Sequence, residues 1–108
     1  MKAYTLFNLK SDKSPVEYRQ WALTEVHPRM LKMSSVLAFR DYQVVGAMNG
    51  AQPQYEFVEE IEITTPDAFE GDHVGGDGEK LAKEWLTWVS DFTVIYCREI
   101  KELEHGPG

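Results

Sequence analysis

A chain with one cysteine cannot close an internal disulfide, and Cys97 lies inside an apolar run. It reads as a small core hydrophobe, which suits a reducing compartment. Basic charge is scarce as well. Eleven Lys and Arg stand against eighteen Asp and Glu, giving a net charge of −7 and no cationic cluster. Polyanions are held by basic surfaces, so nucleic acid and anionic membrane are not expected partners. No apolar run approaches the roughly 20 residues that span a bilayer. Met1-Lys2-Ala3-Tyr4 leads directly into a strand pattern with no signal peptide, so a cytoplasmic location is expected. No group of His, Cys, Asp and Glu has metal-ligand spacing. Gly75, Gly76 and Gly78 lack the preceding parallel strand and the Lys-Ser/Thr ending of a phosphate loop. Neither metal nor cofactor is expected.

What is present suits one soluble domain: 108 residues, 43% hydrophobic and 27% charged. Residues 3–10 carry the β formers Tyr4, Thr5, Leu6 and Phe7. Ser14-Pro15-Val16-Glu17 is a helix start, with Ser as cap, Pro in the first turn and Glu placed for a capping box. That helix carries Tyr18, Trp21, Ala22, Glu25 and Val26, and Pro28 should kink or end it near His27. A long strand over residues 36–48, turn residues 49–53 and a strand over 55–64 form an expected hairpin. Thr65-Pro66-Asp67 starts a second helical region, broken by Gly71 and by the flexible run 75–78. It resumes with Leu81, Trp85, Trp88 and Val89 on one face, and residues 92–100 form the last strand. One domain over 1–101 and a flexible tail over 102–108 are expected.

The order β-α-β-β-α-β is that of an α+β, ferredoxin-like sandwich: a four-stranded antiparallel sheet with two helices on one face. The other face must be polar or covered. Phe92, Val94 and Tyr96 oppose Ile95 and Cys97 in the last strand, and Tyr4 and Leu6 oppose Phe7 and Leu9 in the first. A sheet apolar on both sides predicts a homodimer through its open face.

One carboxylate breaks the pattern. Tyr55, Phe57, Glu59, Ile61 and Ile63 share one side of the third strand, while Glu56, Glu60 and Glu62 share the other with Val58. Glu59 therefore points into the apolar side. An unpaired buried carboxylate costs several kcal/mol, so the group must be paired, protonated or used. A structural tie to Tyr42 or Arg40 competes with a role in a site.

The runs Tyr18..Trp21, Ser35-Val36-Leu37-Ala38-Phe39-Arg40-Asp41-Tyr42-Gln43-Val44, and Tyr55 through Ile63 with Asp67-Ala68-Phe69 resemble the REDY-like (HapK-type) proteins. These are small dimeric α+β-barrel proteins associated with bacterial prodigiosin and bisindole-type pathways. Their wider superfamily holds polyketide cyclases, muconolactone-type isomerases, EthD-like proteins and cofactor-free monooxygenases. The resemblance covers roughly residues 4–100. It implies a dimer of ferredoxin-like subunits with a ligand cavity between sheet and helices in each, and no particular reaction.

Asp72-His73-Val74-Gly75 resembles the His-Val-Gly run of plant-type polyketide cyclases, which makes His73 a candidate general base. Thr5 stands where those cyclases carry a second site histidine. His27 resembles the histidine of a Val-His-x-Pro stretch in EthD-like proteins, against a plain helix-end histidine favoured by the helix dipole. His105 falls in the expected tail. Trp85, Trp88, Phe57, Tyr42 and Tyr55 are core aromatics by default and candidates to line an apolar cavity. Two functions follow. One is a small cofactor-independent enzyme of secondary or aromatic metabolism, moving protons on an aromatic or polyketide-like intermediate as a cyclase, isomerase or decarboxylase. The other is a non-catalytic small-molecule-binding accessory protein of a biosynthetic pathway.

Overall fold

The computed structural model describes residues 1–104. Strands β1 (Lys2–Leu9), β2 (Val36–Gln43), β3 (Phe57–Ile63) and β4 (Val89–Cys97) form one antiparallel sheet in the order β2-β3-β1-β4. Helices α1 (Pro15–Trp21) and α2 (His27–Leu31) connect β1 to β2, and α3 (Pro66–Gly71) and α4 (Gly76–Trp85) connect β3 to β4. This is the ferredoxin-like α+β arrangement. The tail expected beyond residue 104, with His105, lies outside the described residues.

Strand alternation sets the core. Ala3, Phe7 and Leu9 of β1 and Phe57, Ile61 and Ile63 of β3 are buried on one face, against Tyr18, Ala22, Val26, Met30, Phe69 and Leu81 from the helices. The helix starts form as their caps predict. Ser14 Oγ accepts from the Glu17 N–H at 3.3 Å, and Thr65 Oγ1 from that of Ala68 at 3.1 Å.

Pro28 does not end the first helix. Ala22–Val26 widen into a π turn, in which the His27 N–H reaches back to the Ala22 carbonyl. That extra residue accommodates a proline that would meet the carbonyl four positions back in a regular helix. The Thr24 hydroxyl lies 3.0 Å from the Gln20 carbonyl and 3.3 Å from that of Trp21, covering acceptors the wider turn leaves short. The helical path thus runs on to Leu31 and carries Val26 and Met30 over the sheet.

Three expected boundaries move. Pairing of β2 with β3 stops at Gln43↔Phe57, one step before the Val44 N–H bonds the Glu56 carbonyl at 2.7 Å. Glu56 is instead drawn to β1, its N–H bonding the Phe7 carbonyl at 3.1 Å and its Oε1 accepting from the Leu9 N–H at 2.9 Å. Residues 44–56 are therefore a loop, and Tyr55 is not a strand residue. Helix α4 ends at Trp85, leaving Trp88 in the turn and Val89 at the start of β4. Finally, β4 stops at Cys97, and Ile100–Glu104 form a short helix, α5, where strand and then tail were expected.

Within the glycine run Gly78 is packed, while Gly75 and Gly76 face open space. Gly75, at φ 77°, makes the turn, and Gly76 to Gly78 form the first turn of α4. A Cβ on Gly78 would stand 1.8 Å from the Asp72 carbonyl oxygen. A Gly78→Ala exchange is therefore expected to cost about 2 kcal/mol or more in urea unfolding, despite alanine's better helix propensity. Gly71→Ala, with nothing within 4 Å of its new methyl group, should be neutral or slightly stabilising. Equal stabilities for the two variants would refute the packing argument.

Candidate functional site

Antiparallel register sets a row across the helix-covered face of the sheet. Val94 of β4 faces Thr5 of β1, Thr5 faces Glu59 of β3, and Glu59 faces Asp41 of β2. Directly paired residues point to the same side, so a carboxylate ends up in the sheet centre beneath the helices. Glu59 is only 6% exposed and Thr5 4%.

Above this row lies a cavity of about 480 Å³, within the range of small-molecule sites. Its floor is Thr5, Glu59, Ile61, Phe92 and Val94; its walls are Val26, Met30, Leu81, Ala82, Trp85 and Leu86; Phe69, Glu70, His73 and Tyr96 complete it. It is open along β4, because the helices leave that edge strand uncovered and Phe92 stays 48% exposed.

Burial is the largest influence on Glu59. It pushes the carboxyl up to about 8, the hydrogen bond with the Thr5 hydroxyl draws it partly back, and the nearby charge of Asp41 pushes it up again. A neutral carboxylic acid is therefore the favoured species near neutral pH, and it can donate a proton where a carboxylate can only accept. Tyr18, whose hydroxyl accepts from Trp85 Nε1 at 3.0 Å, is likewise raised by burial and by the proximity of Glu59.

His73 has its tautomer set by the backbone. Its Nδ1 lies 2.7 Å from the Phe69 carbonyl oxygen, which can only accept, so Nδ1 carries the hydrogen. In the neutral ring Nε2 then holds the lone pair, and no bond to another described residue occupies it. The ring meets the Phe69 ring edge-on at 4.7 Å. At the rim the Tyr96 hydroxyl donates to Glu70 Oε2 at 2.6 Å.

The HapK family model, described as REDY-like protein HapK, matches residues 1–100. The chain belongs to this family. HapK from Hahella chejuensis has a similar crystal structure, at TM-score 0.71 and 17% identity, over 91% of this chain and 93% of that one. A dimeric ferredoxin-like protein of unknown function from Thermobifida fusca matches at TM-score 0.67 and 14% identity, over 87% and 85%. SnoaB from Streptomyces nogalater, described as a cofactor-independent oxygenase, matches at TM-score 0.65 and 10% identity, over 91% and 92%. No curated protein matches the chain by sequence. At these identities the structural likeness establishes the fold alone.

Of the candidates in this HapK-family chain, Glu59, His73 and Trp85 meet at the cavity. The others lie elsewhere. His27 begins α2 rather than ending a helix; its Nε2 is held by Asp41 Oδ1 at 2.8 Å and its ring packs edge-on to Phe39 at 4.8 Å. Tyr42 is half exposed on the open face, 3.3 Å from Glu60 Oε1, because its alternation is opposite to that of Asp41. Phe57 is core, stacked on Phe7 at 5.4 Å. Trp88 stacks on Trp21 at 5.5 Å, since α4 ends before reaching it. Tyr55 lies in the loop ahead of β3. The glycine run lines a separate polar groove near Arg29, away from the cavity. Sequence reasoning did not find Glu70 and Asp41. Asp41 shares parity with Phe39, which was a readable signal, but the Glu70–Tyr96 pair joins α3 to β4 and needs the tertiary fold. Among the described residues no group of three or more His, Cys, Asp and Glu could hold a metal ion, and no helix is long and apolar enough to cross a membrane.

The ionisation of Glu59 has a stability consequence. Between its ordinary value near 4.5 and about 8, the folded state keeps a proton that the unfolded chain releases. Stability attributable to this group therefore falls as pH rises through that window, by several kcal/mol in order of magnitude. Glu59→Gln keeps the neutral shape. In urea titrations it should match the parent within about 1 kcal/mol at pH 5 and exceed it at pH 9. Parallel stability curves for the two proteins across this range would contradict a neutral Glu59.

Proposed function

We propose that the protein is a small cofactor-independent enzyme that shifts protons on an aromatic or polyketide-like ligand held in this cavity. His73 Nε2 takes a proton from the ligand, and the Glu59 carboxylic acid donates to, or hydrogen-bonds, the oxygen on which charge develops. The observation that carries this reading is the facing of both groups into one apolar cavity, with Glu59 kept neutral by burial and Nε2 left unengaged. Membership of the HapK family and the likeness to a cofactor-independent oxygenase agree with chemistry of this small-molecule kind. The alternative is a binding accessory protein with the same cavity. Proton transfer separates the two.

Phenylacetone, an enolisable aromatic ketone, provides the test. Its exchange of benzylic hydrogen for deuterium in D2O, followed by NMR, should run above the buffer rate with the protein present. His73→Asn should remove roughly 10²-fold or more of that acceleration, and Glu59→Gln a comparable share, both without unfolding. Exchange at the buffer rate, or unaltered by either substitution, would leave the accessory role.

We also propose a cytoplasmic homodimer joined through the open sheet face. Ile95 is 45% exposed there, and neighbours of the same fold are described as dimeric. Sedimentation at micromolar concentration should give twice the mass of one chain, and a monodisperse monomer would reject it.

A further inference from the structure

The cavity's charge is one-sided. Two carboxyl groups, Glu59 and Glu70, and one imidazole, His73, line it, but none of the chain's eleven Lys and Arg side chains does. Its other side-chain hydroxyls are those of Thr5 and Tyr96, and the Tyr96 hydroxyl is already given to Glu70 Oε2. A ligand carboxylate or phosphate drawn into these apolar walls would lose its hydration and find no Lys or Arg to replace it, with a carboxyl group at the floor that a second negative charge would hold neutral and a carboxylate at the rim. A positively charged nitrogen meets the opposite situation. Glu70 keeps Oε1 clear of the Tyr96 bond, Glu59 waits at the floor, and the aromatic rings of Trp85, Phe69 and Phe92 line the space between them.

We propose that the ligand is an aromatic amine, cationic when bound, and that carboxylated and phosphorylated ligands are rejected. This rests on the reading of the cavity as a ligand site. The groups that face Glu59 explain how it answers such a ligand. Thr5 faces it from β1, Asp41 from β2 with His27 of α2 bonded behind it, and the Tyr18 phenol from α1; β4 presents Val94, and α4 presents Leu81 and Trp85. None of these places a Lys or Arg cation against it. An arriving ammonium supplies the missing positive charge, so Glu59 releases its proton to solvent as the amine docks. Binding of the amine should therefore tighten as pH rises from 6 to 8.

Three probes of nearly one shape test this: 1-naphthylmethylamine, 1-naphthalenemethanol and 1-naphthoic acid. Titrations would be followed by NMR at the Trp85 indole N–H and the His73 ring. The amine is expected to bind at least tenfold more tightly than the acid, with the alcohol between them, and to gain affinity from pH 6 to pH 8. Glu70→Gln, at the rim, should reduce the amine's advantage over the alcohol, and adding Glu59→Gln should abolish it. An acid that binds as tightly as the amine, or an amine advantage that survives both substitutions, overturns the charge preference while leaving the cavity a ligand site. If none of the three probes shifts either signal, the ligand-site reading itself falls, and this inference with it.

Discussion

The desolvated carboxyl of Glu59 is the constraint around which the rest of the molecule is arranged. Strand alternation puts it on the covered face, and the register with Thr5 and Asp41 puts it in the middle of the sheet. A charge there would have to be balanced, and the chain supplies no cation. It supplies a hydroxyl on one side and a second carboxylate on the other. Both choices follow one logic. The Thr5 hydroxyl can serve either protonation state, while the negative Asp41 makes a second negative charge in the row unfavourable. Asp41 in turn has its own partner in His27, at 2.8 Å. His27 thus touches this row only through the carboxylate next to Glu59 and does not line the cavity.

The helical path is what keeps a hollow over that carboxyl. A helix stopped at Pro28 would leave Met30 in a loop and one wall of the cavity open. The π turn at Ala22–Val26 absorbs the proline, and the continued helix lays Val26 and Met30 along one wall. On the other side α4 can lie close because Gly78 lacks a side chain where its backbone meets Asp72. Arg29 of α2 bridges the two helices, with Asp77 Oδ1 at 2.9 Å and Glu84 Oε2 at 2.6 Å. Its charge is spent in that clamp, outside the cavity, so a nearby cation is withheld from the one place where it would ionise Glu59.

Much of this was legible in the chain because it depends on local pattern. The helix starts at Ser14 and Thr65, the element order and the inward turn of Glu59 all follow from spacing two or three residues long. Failures came where a distant partner overruled the pattern. Tyr55 has the parity of the buried face, but Glu56 bonds to β1 and ends the strand first. Trp88 has helical spacing from Trp85, yet its helix has already closed. At β2 the run Val36-Leu37-Ala38-Phe39 is apolar throughout, so it cannot reveal that the register slips between Val36 and Ala38. The slip lies before Phe39, so from Phe39 onward simple parity turns Asp41 inward and Tyr42 outward.

The two polar groups of the proposed chemistry differ in how they are made ready, and the difference bears on what they can do. Glu59 is prepared by exclusion of water, an influence that any ligand or solvent entering the cavity changes. His73 is prepared by a near neighbour in the chain, the Phe69 carbonyl four residues earlier, through a bond made within its own segment. The imidazole therefore presents a fixed acceptor, while the carboxyl is a donor whose charge answers the occupant. For an occupant that loses a proton to Nε2 and gains negative charge on oxygen, the neutral acid at the floor is the better partner, and desolvation by the bound ligand keeps it neutral. For an occupant that arrives with a positive charge, the same carboxyl ionises in place. One buried side chain can thus meet a cationic nitrogen as a carboxylate and, beneath an uncharged occupant, keep its proton and donate it. A surface carboxylate, already ionised in water, offers only the first of these.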